Sequence, residues 1–446
     1  MTGYATRKAQ VVAQLAAAGG AARPGLAKAT SNLFRDRAER PRPRIDLSGF
    51  AGVVAVDPAA GTVDAEGMTT FAALADATLA CGTVPQVVPQ LKSITLGGAL
   101  AGVGIEASSF RYGLVHETVT SVDVLTGDGR VLTCTPDNAH RDLFHGLPNS
   151  YGTLGYALRV TARTAPARRF VRLEHRRYGD ASACFAALEA ALADPTLDYL
   201  DGVVFARDLH VLTLGRFVDE APAASDYTFE RIYYRSLLER DSDVLTARDY
   251  LWRWDTDWFW CSKNVGAQHP WLRRLLGRER LNSVTYQKIM RWNARWKAST
   301  AFDRLRGVHA EAVIQDVDIP LPRAAEFLAF LHDEIGILPI WLCPIRAATT
   351  VAYPLYPLAP GVPHVNFGFW DTVRSRESRP PGDRVRRIER TARALGGLKS
   401  LYSDSFYAED EFWAIYNRAA YAELKRRYDP AGVLGDLYDK CVRRRG

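Results

Sequence analysis

Apolar positions change period several times along the chain. Residues 1–18 space them as a helix, ended by Gly19-Gly20. Arg44 to Asp57 alternates like strands around a glycine turn, and Thr62 to Ala65 continues the alternation. Phe71, Leu74, Leu79 and Cys81 return to helical spacing, with Gly82 as a natural stop. Two β-branched runs then flank Gly127-Asp128-Gly129, which predicts a hairpin. After NSYGTLGYALRVTART (149–164) the character changes, and Ala165-Pro166 marks a boundary.

Beyond it FVRLEHRRY, DGVVFA, HVLTLGRFV, EAVIQDVDIP and HVNFGFWD read as strands, and ASACFAALEAALAD as a helix ending near Pro195. Such mixed signals suit an α+β domain built on an antiparallel sheet. RDYLWRWDTDWFW (248–260) carries four tryptophans that can wall an apolar pocket, touch a membrane or fill a core. From 396 helices return, DEFWAIYNRAAYAELKRRY the clearest. The expected parts are 1–165, 166–395 and 396–446.

Composition narrows the classes. A chain of 446 residues exceeds one ordinary core, and 47% hydrophobic with 24% charged residues is globular. A net charge of +7 over this length is a poor case for nucleic-acid binding. The six cysteines form no CxxC and none neighbours a histidine at ligand spacing, so reduced thiols, a cytoplasmic location and no metal site are expected. No apolar run reaches 20 residues; a soluble or membrane-peripheral protein is expected.

The densest chemistry is LGGALAGVGIEASSFRYGL (96–114). Gly102-Val-Gly104-Ile-Glu-Ala107 formally fits a relaxed dinucleotide fingerprint, but no strand precedes it and no amphipathic helix follows. No Gly-Lys-Ser/Thr occurs here, which excludes a P-loop. What remains is a loop of exposed amides able to cradle an anion without a helix, with Ser108 and Ser109 as hydroxyl donors. A plain structural turn competes with that reading. GLAKATSNLFR (25–35) upstream and GTLGYA (152–157) downstream are its small, polar companions.

This ordered set resembles the flavin-binding domain of the vanillyl-alcohol oxidase superfamily. The likeness is greatest to the FAD-dependent Δ24-sterol reductase group, through ITLGGALAGVGIEASSFRYGL, DLFHGLPNSYGTLGY, VIQDVDIP, LPIWLCP, LYSDSFYAEDEFW and LYDKC. The resemblance implies a PCMH-type FAD-binding domain of two subdomains, a substrate (cap) domain with an antiparallel sheet, and a C-terminal segment returning to the flavin. It implies that Thr95, Leu96, Gly97, Gly98, Gly102, Val103, Gly104 and Ile105 line FAD, joined by Ser108. Lys28, Ala29, Thr30, Ser31 and Asn32 are to approach the pyrophosphate, Tyr156 or Ala157 the adenine side, and Tyr402 the isoalloxazine. Family members that tether flavin usually use a histidine in the first loop; 19–37 holds neither His nor Cys, so non-covalent FAD is expected.

The implied activity is reduction of a carbon–carbon double bond in an apolar isoprenoid- or sterol-like substrate. Electrons would come from NADPH meeting the same flavin or from a partner reductase. An unactivated alkene needs a positioned acid beside the flavin. Glu106, Tyr402 and Asp404 are the candidates. Each has a competing use: Glu106 bonding amides or ribose, Tyr402 packing on the flavin, Asp404 capping the helix that follows. Gln315 and Asp316 share one strand, so only one of them can face a substrate. The alternative reaction on the same scaffold is oxidation of an alcohol or a polyprenyl-linked sugar.

Overall fold

The computed structural model describes residues 3–18, 23–28, 34–35, 43–296 and 307–442. The amino-terminal part opens with the predicted helix, Tyr4–Ala18. Its strands are β1 (Gly25–Ala27), β2 (Arg44–Asp46), β3 (Val53–Asp57), β4 (Thr62–Glu66), β5 (Thr83–Pro85), β6 (Val119–Leu125), β7 (Val131–Cys134) and β8 (Tyr156–Pro166). β1 and β2 pair in parallel as a separate ribbon, and the other six form an antiparallel sheet in the order β3-β4-β8-β6-β7, with β5 also on β8. The predicted hairpin is β6–β7; Gly129 sits at φ +84 inside its turn, a conformation only glycine adopts freely.

The second part is one eight-stranded antiparallel sheet. Its strands are β9 (Phe170–Tyr178), β10 (Tyr199–Ala206), β11 (Leu209–Val218), β12 (Ser242–Thr246), β13 (His309–Pro320), β14 (Ile340–Ile345), β15 (His364–Ser375) and β16 (Leu398–Lys399). They run in the order β12-β9-β11-β10-β14-β15-β13-β16. One face is covered by the helices Ala181–Ala191, Ala324–Phe330 and Asp383–Ala394, whose apolar stripes meet Val313, Val317, Phe367 and Phe369. The other face packs against the aromatic segment that follows β12.

After β16 the chain leaves this sheet. Leu401, Tyr407, Phe412, Tyr416, Tyr421 and Tyr428 are buried in the same core as Phe71, Val122 and Val160 of the first part. The single helix expected over DEFWAIYNRAAYAELKRRY is two, Glu409–Ile415 and Arg418–Tyr428, because Asn417 between them is left-handed (φ 52) and its side chain caps the second at Ala420 N.

The two sheets are joined where the glycine stretch ends. Leu200 N of β10 donates to Ala107 O at 2.8 Å, and Arg346 N donates to Ser109 O at 3.2 Å. Alongside, the fully buried Arg253 guanidinium lies between Glu106 Oε1 and Asp201 Oδ2, each at 2.8 Å, and 4.0 Å from the Tyr250 ring centroid. Burial, with Asp201 adding to it, outweighs Arg253 and lifts the Glu106 carboxyl to about 7. Replacing Arg253 by methionine leaves two buried carboxylates without their cation, and a loss of about 3–5 kcal/mol is expected in urea unfolding. The native state also holds the Glu106 proton more tightly than the unfolded chain. Stability is therefore expected to fall as pH rises from about 4.5 to about 7. That slope should shrink in Glu106→Gln, measured by the same unfolding curves across pH.

Candidate functional site

The glycine stretch is not an open loop. Leu96–Gly102 is a two-turn helix, and Thr95 is its N-cap, its hydroxyl accepting from Gly98 N at 3.2 Å. This corrects the expectation of bare amides without a helix. Two of the glycines serve packing beneath the helix: a Cβ on Gly97 would lie 2.8 Å from Gly67 O and 3.1 Å from Ala157 Cβ, and one on Gly104 would lie 2.6 Å from Val115 Cγ2. Leu96 and Ile105 are core residues. The outer face is what stays bare. Gly98 is exposed, and Thr95, Ala101 and Val103 are partly so, within an otherwise buried element.

The carboxyl end of this helix meets the segment that leads into β8. Gly102 O accepts from Tyr151 Oη at 2.8 Å, and the Arg35 guanidinium lies 4.5 Å over the Tyr151 ring. Arg35 Nε in turn donates to Leu401 O at 2.9 Å, beside Tyr402. Val103 (φ 75), Asn149 (φ 62) and Tyr151 (φ 49) are all left-handed, a concentration of strain at one junction.

Tyr402 is held by its neighbours on both sides. Phe34 N donates to Tyr402 O at 2.9 Å and Asp404 N donates to Phe34 O at 3.1 Å. Lys399 Nζ, itself buried against Glu389 (3.0 Å), donates to Asp404 O (2.6 Å) and Ser405 Oγ (2.7 Å), which fixes the turn. The Tyr402 hydroxyl accepts from Trp370 Nε1 at 2.7 Å and couples to the Asp316 carboxyl. Around it, Phe34 stacks on Trp258 (5.6 Å between centroids) and Phe259 is sandwiched between Trp254 and Trp370 (5.0 and 4.0 Å). Trp258 and Phe259 sit at φ 45 and 56, where bulky side chains are rarely found. Ile94 and Val103, flanking the glycine helix, pack onto this same aromatic cluster.

Asp316, expected only as one of two possible substrate-facing residues and not among the proposed acids, stands beside Tyr402. On β13, Asp316 and Asp318 share the face toward the aromatic wall, and Gln315 turns the other way, donating to Asp404 O at 3.3 Å. Gly368 on the neighbouring strand makes the room: a Cβ there would come within 2.8 Å of Asp316 Oδ1. Burial first, then the like charge of Asp318, raises the Asp316 carboxyl well above the usual range. Asp318 is lifted to about 6 by burial and is occupied by Tyr356 Oη (2.6 Å) and Asn366 Nδ2 (2.7 Å). The sequence placed Gln315 and Asp316 on one strand as possible substrate-facing residues, and which of the two faces the aromatic wall is decided by the register of that strand.

Other predicted residues are placed elsewhere or differently. Glu106 is engaged by Arg253 as described and shares no hydrogen bond with the Tyr402 cluster. Asp404 is not the helix cap, since that helix starts at Glu409 with Glu411 Oε2 accepting from Ala408 N. Ser108 Oγ donates to Gln86 O at 2.7 Å, so its hydrogen is not available to a cofactor. Tyr156 points into the core behind β8, among Leu125 and Leu158, while Ala157 lies directly under Gly97. Lys28 is exposed after β1; Ala29, Thr30, Ser31 and Asn32 lie outside the described residues. All four tryptophans of 248–260 are core residues, so those side chains do not touch a membrane.

These residues fit a flat, polar-edged cofactor. The helix offers a bare face, and Asn149 Oδ1, Ser150 Oγ, Asp316 Oδ1 and Ser403 Oγ are buried without a partner, three of them next to Tyr151 or Tyr402 in sequence and Asp316 beside Tyr402 in space. Residues 4–135 match the FAD binding domain family. The chain is 24% identical to the Delta(24)-sterol reductase of Homo sapiens over 413 residues, 88% of this chain and 76% of that one. It is 25% identical to the Delta(24)-sterol reductase of Arabidopsis thaliana over 466 residues, 95% of this chain and 81% of that one. Cytokinin dehydrogenase 9 of Oryza sativa subsp. japonica matches at 31% over 143 residues, 32% of this chain and 27% of that one. A side chain on the bare face should therefore displace FAD without unfolding the protein. Gly98→Leu, whose Cβ would also come within 2.8 Å of the Thr95 cap oxygen, is expected to purify folded and to fall from about 90% to about 10% flavin occupancy at 450 nm, a roughly hundredfold weakening or about 2.7 kcal/mol. The chain is an FAD-dependent oxidoreductase with a PCMH-type FAD-binding domain in residues 4–135, similar through most of its length to the Delta(24)-sterol reductases.

Proposed function

We propose that this enzyme reduces a carbon–carbon double bond of an apolar, isoprenoid- or sterol-like substrate, with Asp316 as the proton donor. The observation that carries the reading is a buried carboxyl, held neutral by its surroundings, set in an aromatic wall next to the cofactor cradle. The likeness to sterol reductases supports the substrate class.

Bound FAD, once reduced, supplies the electron pair for one alkene carbon. The chain's own task is the other carbon. Phe34, Trp258 and Trp370 bury the substrate and keep water from the reacting carbons. The Asp316 carboxyl delivers its proton to the second carbon and is left as a carboxylate, which solvent reprotonates between turnovers. Tyr402, fixed by the Trp370 N–H, is the positioning residue that aims the carboxyl. Alcohol oxidation would instead need a group that accepts a proton. Burial and Asp318 raise the Asp316 carboxyl well above the usual range, and burial pushes the Tyr402 hydroxyl well above its ordinary value, which favours proton donation by this pair.

NADPH, or a partner reductase, is proposed as the electron source. Under anaerobic conditions NADPH is expected to bleach the flavin band, and acid precipitation to release the flavin into the supernatant. Bleaching by an alcohol substrate instead would overturn the reductive direction. Asp316→Asn should bind FAD and bleach normally yet lose about 10²–10⁴-fold in alkene turnover. Because Asp316 works protonated, wild-type kcat should fall on the alkaline side of its raised pKa. In Asp316→Asn, the residual rate should lose that limb.

A further inference from the structure

Eight large apolar residues are exposed among those described, and four of them lie within one short stretch: Trp271, Leu275, Met290 and Trp292. Trp271, Leu275 and Trp292 are 60%, 69% and 61% exposed, values far from those of the molecule's core tryptophans. Trp271, Arg274 and Leu275 share the outer face of the helix Pro270–Leu276. Lys288 and Trp292, four residues apart, share the outer face of the helix Ser283–Trp296.

Both helices are anchored on the same three-residue turn. Arg273 pairs with Asp257 at 2.5 Å from the first helix. From the second, Ser283 Oγ donates to Asp255 at 2.6 Å and Tyr286 Oη to Thr256 O at 2.9 Å. Their inner faces are pinned to one turn, and their outer faces are exposed to solvent. Among the described side chains from Trp271 to Trp292 the exposed cations are Arg274, Arg278, Arg280 and Lys288, against one acid, Glu279. Arg274 and Arg278 reach Glu230 and Asp226, and Arg280 and Lys288 have no acidic partner among the described residues.

We infer that this surface docks on an anionic lipid bilayer. Exposed tryptophans insert at the headgroup level while the surrounding cations meet lipid phosphates. Among the described residues no helix is long and apolar enough to cross a membrane, so contact here is at the surface. The anchoring turn runs directly into Trp258, the residue stacked on Phe34 in the aromatic wall.

The test is cosedimentation of the full, FAD-loaded chain with phosphatidylcholine vesicles with and without phosphatidylglycerol. Binding is expected only with phosphatidylglycerol, and to weaken as salt is raised. The double variant Trp271→Ser/Leu275→Ser should bind at least about tenfold more weakly. Its flavin spectrum and melting temperature should stay unchanged, which separates this outcome from any failure of the proposed chemistry. Absence of binding to the anionic vesicles, undiminished binding of the variant, or binding to a duplex DNA probe in place of vesicles would each overturn the inference.

Discussion

One guanidinium holds the two halves of this molecule in register. Arg253 reaches Glu106 at the end of the glycine stretch and Asp201 in the middle of the eight-stranded sheet, all three side chains buried. A buried charge of this kind is costly to strand and rewards only the geometry that pairs it. The cofactor-side helix is therefore tied to the sheet that carries the aromatic wall. The backbone bonds from Leu200 to Ala107 and from Arg346 to Ser109 follow the same seam.

The junction so fixed creates an environment as well as a position. Trp254, Phe259, Trp370 and Trp258 exclude water from the face of β13 that bears Asp316. In that low-polarity setting a carboxyl is more stable neutral than charged, and the neighbouring Asp318 reinforces the effect. Packing of apolar rings thus sets the protonation state of the one acid among them. The strain at Val103, Tyr151, Trp258 and Phe259 is concentrated along the same boundary, where surrounding contacts over-determine the backbone.

Much of the scaffold was legible in the sequence because short-range rules govern it. Alternation placed β3, β4, β9, β10 and β11, helical spacing placed Phe71–Leu79, and Gly127-Asp128-Gly129 placed the hairpin. Local reading failed where a tertiary contact overrides it. The glycine stretch reads as a loop, yet it is helical because Gly97 allows the helix to press onto Gly67 and Ala157 from distant strands. The last long helical pattern breaks at Asn417, whose left-handed backbone begins a new cap.

Periodicity along the chain by itself showed an antiparallel second part, while the FAD-binding domain and the carboxy-terminal return followed from the resemblance of its motifs to a known flavoprotein family. Which acid stands at the site was decided only by tertiary structure. Glu106, next to the glycines in sequence, is drawn to Arg253, 147 residues away, and Asp316 is brought beside Tyr402 from 86 positions upstream. Proximity along the chain constrains backbone conformation, but a side chain's partner and its proton depend on burial and charge, which exist only once remote strands have packed.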